Sequence, residues 1–206
     1  MCFAALAAAY DGVLGDADAE LAEWVAASIP VSVEWAARPF SWLGGWVGLA
    51  ALCLAATILL VRRRDWLDAG FLLTVSLGSQ LVVTVLKGTF DRPRPDLAPA
   101  VPLPDSPGFP SGHAAAGLAT VGALAILAGE RLPSRRARTW LWAATAAVVA
   151  AIGLSRIALG VHFASDVLAG WLLGLAWLSC CLLARGWLRA RTREVRPGSQ
   201  LPSPRG

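Results

Sequence analysis

Charge is scarce in this chain. Only 16% of its 206 residues are Asp, Glu, Lys or Arg, against 56% hydrophobic residues, and a mean hydropathy of +0.58 is far too apolar for an ordinary soluble domain of this length. Histidine occurs at two positions, His113 and His162, and lysine at one, Lys87; the other 17 of its 18 basic residues are arginines. The four cysteines, Cys2, Cys53, Cys180 and Cys181, show neither the spacing of a disulfide framework nor a C-x-x-C ligand pattern. Three of them sit inside apolar runs and read as small core residues. The formal net charge of +4 does not come from a basic face interleaved with stacking aromatics. A nucleic-acid partner is therefore the weaker reading, and the sequence is read as having none.

What the chain has instead is length of apolar sequence. Runs near spanning length cover residues 42–61, 66–86, 114–129, 139–159 and 167–184, against the ~20 residues a helix needs to cross the hydrocarbon. Stretches such as LAALCLAATILLV lack the polar face of a soluble amphipathic helix. The expected fold is all-α, a polytopic transmembrane bundle of five clear spans. A sixth, truncated at the N-terminus, is left open: MCFAALAAAY is too short to span or to act as a typical signal peptide, and is either the tail of a span that starts earlier or a short true beginning. Within residues 17–29, Leu21, Trp24, Val25 and Ile29 share one helical face with Asp and Glu opposite, the pattern of a helix lying at the membrane surface. Residues 1–41 are thus expected to form an N-terminal segment, 42–186 the membrane domain, and 187–206 a basic, disordered tail, its end rich in Pro, Ser and Arg.

The arginines orient the bundle. Arg62 to Arg64, Arg131 to Arg138 and Arg185 to Arg196 form three clusters that fall on one side if each run crosses once, and the positive-inside rule makes that side cytoplasmic. Trp42, Trp46, Trp66, Trp140, Trp142 and Trp187 lie near run ends, as an aromatic belt would. The opposite, extracytoplasmic side then receives the loop of residues 87–112 and the junction of residues 156–166.

Three polar stretches meet that outer side: KGTFDRPRP (87–95), PSGH (110–113) and SRIALGVHFASD (155–166). Lys87 ends a helix as a lone compact ammonium, either a snorkelling side chain or a deliberate point charge. Arg92 and Arg94 stand between prolines that stiffen the loop, so their forked donors are aimed before a phosphate arrives; pairing with Asp91 and Asp96 is the plainer alternative. Ser111 is a favoured N-cap, and with Gly112 it opens a helix whose free N–H groups suit an anion. His113 beside it is an imidazole able to donate a proton near neutral pH. Arg156 ends one run, and His162 and Asp166 follow at i and i+4. A carboxylate on one imidazole nitrogen leaves the other free as base or nucleophile.

Taken together, Lys87-x6-Arg94-Pro95, Pro110-Ser-Gly-His113 and Ser155-Arg156-x5-His162-x3-Asp166 resemble the tripartite signature of the type 2 phosphatidic acid phosphatase (PAP2) superfamily of membrane lipid phosphatases, over roughly residues 42–186. The resemblance implies that His162 attacks phosphorus to give a phosphohistidine, that Asp166 orients its ring, and that His113 protonates the leaving oxygen. It implies that Lys87, Arg94, Arg156 and the Ser111-Gly112 turn hold the phosphoryl oxygens, with Arg92 an extra clamp outside the pattern. No metal and no cofactor is expected, since fixed cations supply the charge and no carboxylate cluster offers a magnesium or zinc site. The implied substrate is a lipid phosphate such as phosphatidic acid, phosphatidylglycerol phosphate or undecaprenyl diphosphate. A phosphotransferase with the same site, or a non-catalytic lipid-phosphate binder or flippase, remains as the alternative.

Overall fold

Proline and glycine set the first turns of the chain. The computed structural model describes residues 13–97 and 99–194. Helix α1 (Val13–Ser28) stops short of Pro30. Pro30, with φ −71°, then occupies the N-cap of α2 (Val31–Gly44), because its fixed φ and missing N–H suit a helix start. The pair Gly44-Gly45 breaks the next run: α2 and α3 (Trp46–Arg62) meet at a 50° bend. The run expected at residues 42–61 is therefore not one straight span; its first three residues belong to α2. The boundary expected at 41/42 falls inside α2 for the same reason.

Among the described residues four helices are long and apolar enough to cross a membrane: α4 (Trp66–Phe90), α5 (Gly112–Gly129), α6 (Arg135–Ala158) and α7 (Ala164–Glu194). The bent α2–α3 pair makes a fifth crossing if it is counted as one span. Every element described is helical, so the chain is an all-α transmembrane bundle. The question of a further N-terminal span rests on residues 1–12, outside the described residues. At the other end α7 stays helical to Glu194, beyond the boundary expected at 186/187. The rest of the expected tail lies outside the described residues.

Helix α5 is the centre, packed against α4, α6 and α7. Its inner residues are small: Ala114, Ala115, Ala116, Gly117 and Ala119 are all buried. On α7, Gly170 and Gly174 face them. A Cβ at Gly170 would lie 2.6 Å from the Ser111 carbonyl oxygen, and one at Gly174 would strike the Ala115 carbonyl. Two glycines four residues apart let the backbones of α5 and α7 touch, as small residues do between membrane helices. This contact brings the PSGH turn against the start of α7, where the Ser111 N–H donates to the Asp166 carbonyl at 3.0 Å. Towards the far end the core is filled by Leu72 and Val75 of α4, Ala123 and Leu127 of α5, and Leu178 of α7.

At that far end the basic clusters meet. Asp68 accepts from Arg185 at 2.7 Å, Arg189 at 2.8 Å and Arg131 at 3.0 Å. Glu130 pairs with Arg185 at 2.7 Å and Asp65 with Arg131 at 2.9 Å. Arg131, Arg185 and Arg189 are thus members of an ion-pair network as well as interfacial anchors. Asp68 and Lys87 lie 19 residues apart on α4, so this network sits about 28 Å from the polar stretches at the other end.

Candidate active site

The signature end is assembled from helix termini and one folded-back loop. Helix α4 ends at Phe90 because Asp91 turns left-handed at φ 43°, a conformation Asp tolerates better than most residues. The chain then doubles back, fixed by the Gly108 N–H donating to the Arg92 carbonyl at 2.7 Å. Lys87, one turn before the helix end, donates to the Pro107 carbonyl and, at 3.3 Å, to the Ser106 hydroxyl. Arg94 reaches the Ser106 carbonyl through Nε at 2.9 Å, and through Nη1 the Val161 carbonyl at 2.8 Å and His162 Nε2 at 2.9 Å.

The last of these contacts fixes a proton. Arg94 can only donate, so Nε2 of His162 must be the acceptor, and its Nδ1 carries the hydrogen towards Asp166 Oδ2 at 3.3 Å. The same Oδ2 accepts from the Phe163 N–H at 3.0 Å, which ties the carboxylate to the first turn of α7. His162 stands two residues ahead of that helix, after the turn at Gly160 with φ +67°. The ring is 3% exposed. Burial above all holds its pKa down, to about 4; Arg94 and Arg156 push the same way, and Asp166 opposes them. The imidazole is therefore neutral near pH 7, with its Nε2 lone pair facing cations. Burial likewise lowers the Arg94 pKa, against the pull of Asp166.

Two buried polar atoms here lack a protein partner. Ser111 occupies the N-cap of α5, but its hydroxyl makes no capping bond, and its Oγ is buried and unbonded. Arg156, in the last turn of α6, donates through Nη1 to the Ser41 hydroxyl, while its Nε is buried and unbonded. Buried polar atoms left without a partner cost stability, so each is a candidate contact for a ligand. Gly112 starts α5. His113 follows within electrostatic reach of Arg156, His162, Arg94 and Lys87, its Nε2 beside Gly45 at the α2–α3 bend. The structure thus brings together all eight residues singled out: Lys87, Arg94, Ser111, Gly112, His113, Arg156, His162 and Asp166.

Arg92 departs from its expected use as an extra clamp. It pairs with neither Asp91 nor Asp96: Nη1 donates to Asp166 Oδ1 at 2.7 Å and to Ser165 Oγ at 2.7 Å, and Nη2 to Asp18 Oδ2 at 2.9 Å. Its guanidinium also lies 4.6 Å from the Phe163 ring centre. Asp18 and Ser41 are site residues that the sequence reading did not find. Asp18 was placed on the polar face of a surface helix, and is instead 6% exposed.

A transmembrane bundle that gathers fixed cations, an oriented neutral imidazole and orphaned donors at one end defines a membrane protein built to hold and act on a phosphoryl group. The PAP2 superfamily pattern matches residues 68–190, and this chain belongs to that superfamily. It is 38% identical over 116 residues to phosphatidylglycerophosphatase B of Bacillus subtilis, a match spanning 55% of either chain. It is 35% identical over 153 residues to the decaprenylphosphoryl-5-phosphoribose phosphatase of Mycobacterium tuberculosis, across 73% of this chain and 76% of that one. Its structure matches that of a transmembrane PAP2-type phosphatidylglycerolphosphate phosphatase from Bacillus subtilis with a TM-score of 0.82 and 26% identity, covering 95% and 94% of the two chains. The chain is an integral membrane phosphatase of this superfamily.

Proposed function

We propose that the chain removes a terminal phosphate from a membrane lipid through a phosphohistidine on His162, with the site open to the extracytoplasmic side. The observation that carries this reading is the His162 Nε2 lone pair held against Arg94, with Arg156 in electrostatic reach of the ring and the unbonded Ser111 Oγ on the turn that bonds the Asp166 carbonyl. A phosphoryl group set among them would take the place of the Arg94 contact to Nε2. Lys87, Arg94, Arg156, Ser111 and the N–H groups at the start of α5 would share its oxygens.

In the first half-reaction the Nε2 pair forms a P–N bond as the P–O bond to the lipid breaks, and His113 gives its proton to the departing lipid oxygen. The Nδ1 hydrogen stays on the ring, where Asp166 stabilises the positive charge that develops. In the second, water attacks phosphorus, His113 takes back a proton, and the P–N electron pair returns to Nε2. The products are a lipid alcohol, or monophosphate if the substrate is a diphosphate, and inorganic phosphate. Fixed cations provide the charge stabilisation that phosphoryl transfer requires.

Location supports a lipid substrate: a site at helix ends is reached by a headgroup whose tail remains in the bilayer. The named relatives act on a phosphatidylglycerol phosphate and a decaprenyl-linked phosphoribose phosphate, so glycerophospholipid and polyprenyl phosphates are the candidate classes. The meeting of Arg131 with Arg185 and Arg189 at the opposite end, where Arg64 and Arg189 line one cleft, supports the outward orientation. The test is phosphate release by purified protein against both lipid classes in EDTA. We expect turnover of at least one lipid and inhibition by vanadate. A strict requirement for added magnesium contradicts the proposal. Single cysteines at Asp105 and Ser134, in a protein lacking the native four, report the orientation: an impermeant thiol reagent on intact cells should label residue 105 and spare 134.

A further inference from the structure

The N-terminal helix α1 is shorter than the spanning helices and carries none of the signature residues, yet it places one carboxylate inside the site. Asp18 accepts from Arg92 Nη2 at 2.9 Å, from the Ser165 N–H at 3.0 Å and from the Ser165 hydroxyl. Asp18, Arg92 and Ser165 are 6%, 4% and 4% exposed, and Asp166, which Arg92 grips from the other side, is fully buried. A cavity of about 40 Å³ runs beneath α1 to His162, lined on the helix side by Asp18, Leu21 and Val25.

We propose that Asp18 is a positioning residue of the phosphatase, which acts through Arg92 to keep the Asp166 carboxylate aimed and charged towards His162, so that docking of α1 completes the site. This rests on the reading of His162 as the nucleophile.

The argument is one of charge and lone pairs. Asp166 divides its oxygens: Oδ1 takes Arg92, and Oδ2 takes His162 Nδ1 and the Phe163 N–H. Arg92 thereby prevents the carboxylate from rotating, and its guanidinium is held by the Phe163 ring and by Asp18. An arginine facing Asp166 alone would cancel much of the negative charge that His162 needs when its ring turns cationic. With Asp18 on its far side, Arg92 is shared between two carboxylates, so its charge is not spent on Asp166 alone. In a buried setting such a charge is strongly felt. Asp18 makes no hydrogen bond to the imidazole; its bonds go to Arg92 and to Ser165, and of these only Arg92 carries charge to Asp166.

A double-mutant cycle on the full-length protein tests this, with kcat and KM measured on a short-chain phosphatidic acid in detergent. Asp18→Asn should lower kcat about 10-fold or more, with KM within about twofold, and the same substitution in an Arg92→Gln background should change kcat by less than about twofold. Asp16→Asn and Glu20→Gln, exposed acids on the same helix, should leave kcat near wild type. An equal loss in both backgrounds, or wild-type kcat in Asp18→Asn, overturns the proposal, since a purely structural role for α1 would not depend on Arg92. Should Asp18→Asn fail to fold, the cycle is run with Asp18→Glu, which shifts the charge by one methylene; a fall of about threefold or more confined to the Arg92 background supports the proposal, and any other result overturns it. His162→Ala distinguishes the two levels: retained turnover there faults the nucleophile reading itself, whereas a dead His162→Ala beside an unaffected Asp18→Asn faults only the role of α1.

Discussion

The two ends of this bundle carry similar side chains in opposite states of balance. At the far end three arginines, Arg131, Arg185 and Arg189, meet three acids, Asp65, Asp68 and Glu130, and these six are tied together by ion pairs. At the signature end Lys87, Arg94 and Arg156 are held by carbonyls, hydroxyls and an imidazole, with no carboxylate as their salt-bridge partner among the described residues. The two acids buried there, Asp18 and Asp166, are both taken by Arg92. A balanced network fastens helices; an unbalanced one leaves its cations to meet an anion. On the proposed function the same residue type has a structural role at one end and a phosphate-binding role at the other, and the difference lies in what faces it.

The largest effect should come from removing the imidazole that faces those cations. His162→Ala should lower kcat about 10⁴-fold or more while the protein still purifies as a folded detergent complex, checked by single-turnover phosphate release. Asp166→Asn should lose less, because the nucleophile remains and only its orientation and charge support are disturbed. If the two variants were equally impaired, Asp166 would have to do more than orient.

The converse variant belongs at the other end. Arg185→Ala leaves Asp68 buried with one guanidinium fewer and should destabilise the fold by about 3–5 kcal/mol, seen as a lower midpoint of thermal unfolding. Turnover per folded molecule should stay within about twofold of wild type. A large fall in kcat without a change in stability would erase the distinction between the ends.

The smallest effect is the pH response. Protonation of His162 destroys its nucleophilicity, and burial holds its pKa to about 4. The acid limb of kcat/KM should therefore lie near pH 4, well below the usual imidazole value of about 6.5. The unfolded chain takes up that proton at the higher value, so this group makes the fold lose stability as pH drops from about 6.5 towards 4 and regain it as pH rises. An acid limb near 6.5 would indicate a solvated ring.

Much of the site was legible because its residues come in short local patterns. The i, i+4 spacing of His162 and Asp166, the lone Lys87 and the PSGH turn each announce themselves within one or two helical turns. The spanning runs were legible from apolar length alone, but the break that Gly44-Gly45 puts into the run expected at residues 42–61 was not read. The partners that complete the site were not. Asp18 lies 74 residues from Arg92 and 147 from Ser165, on a helix whose acids look uniformly solvent-facing, and Ser41 lies 115 residues from Arg156. No local periodicity encodes such pairings, because they are created by how α1 and α2 pack against α6 and α7. Arg92 was visible as a charge, but the choice between clamping a phosphate and gripping a carboxylate depended on a neighbour that only the fold supplies.

The covalent step is the centre of this account, and rapid-quench labelling addresses it directly. Wild-type protein mixed with a ³²P-labelled lipid phosphate, stopped in alkali and digested, should show an acid-labile phosphoryl group on the peptide containing His162, formed in the first turnover and absent from His162→Ala. Label on another residue, or full turnover in His162→Ala with no label on protein at any time, would contradict the phosphohistidine mechanism.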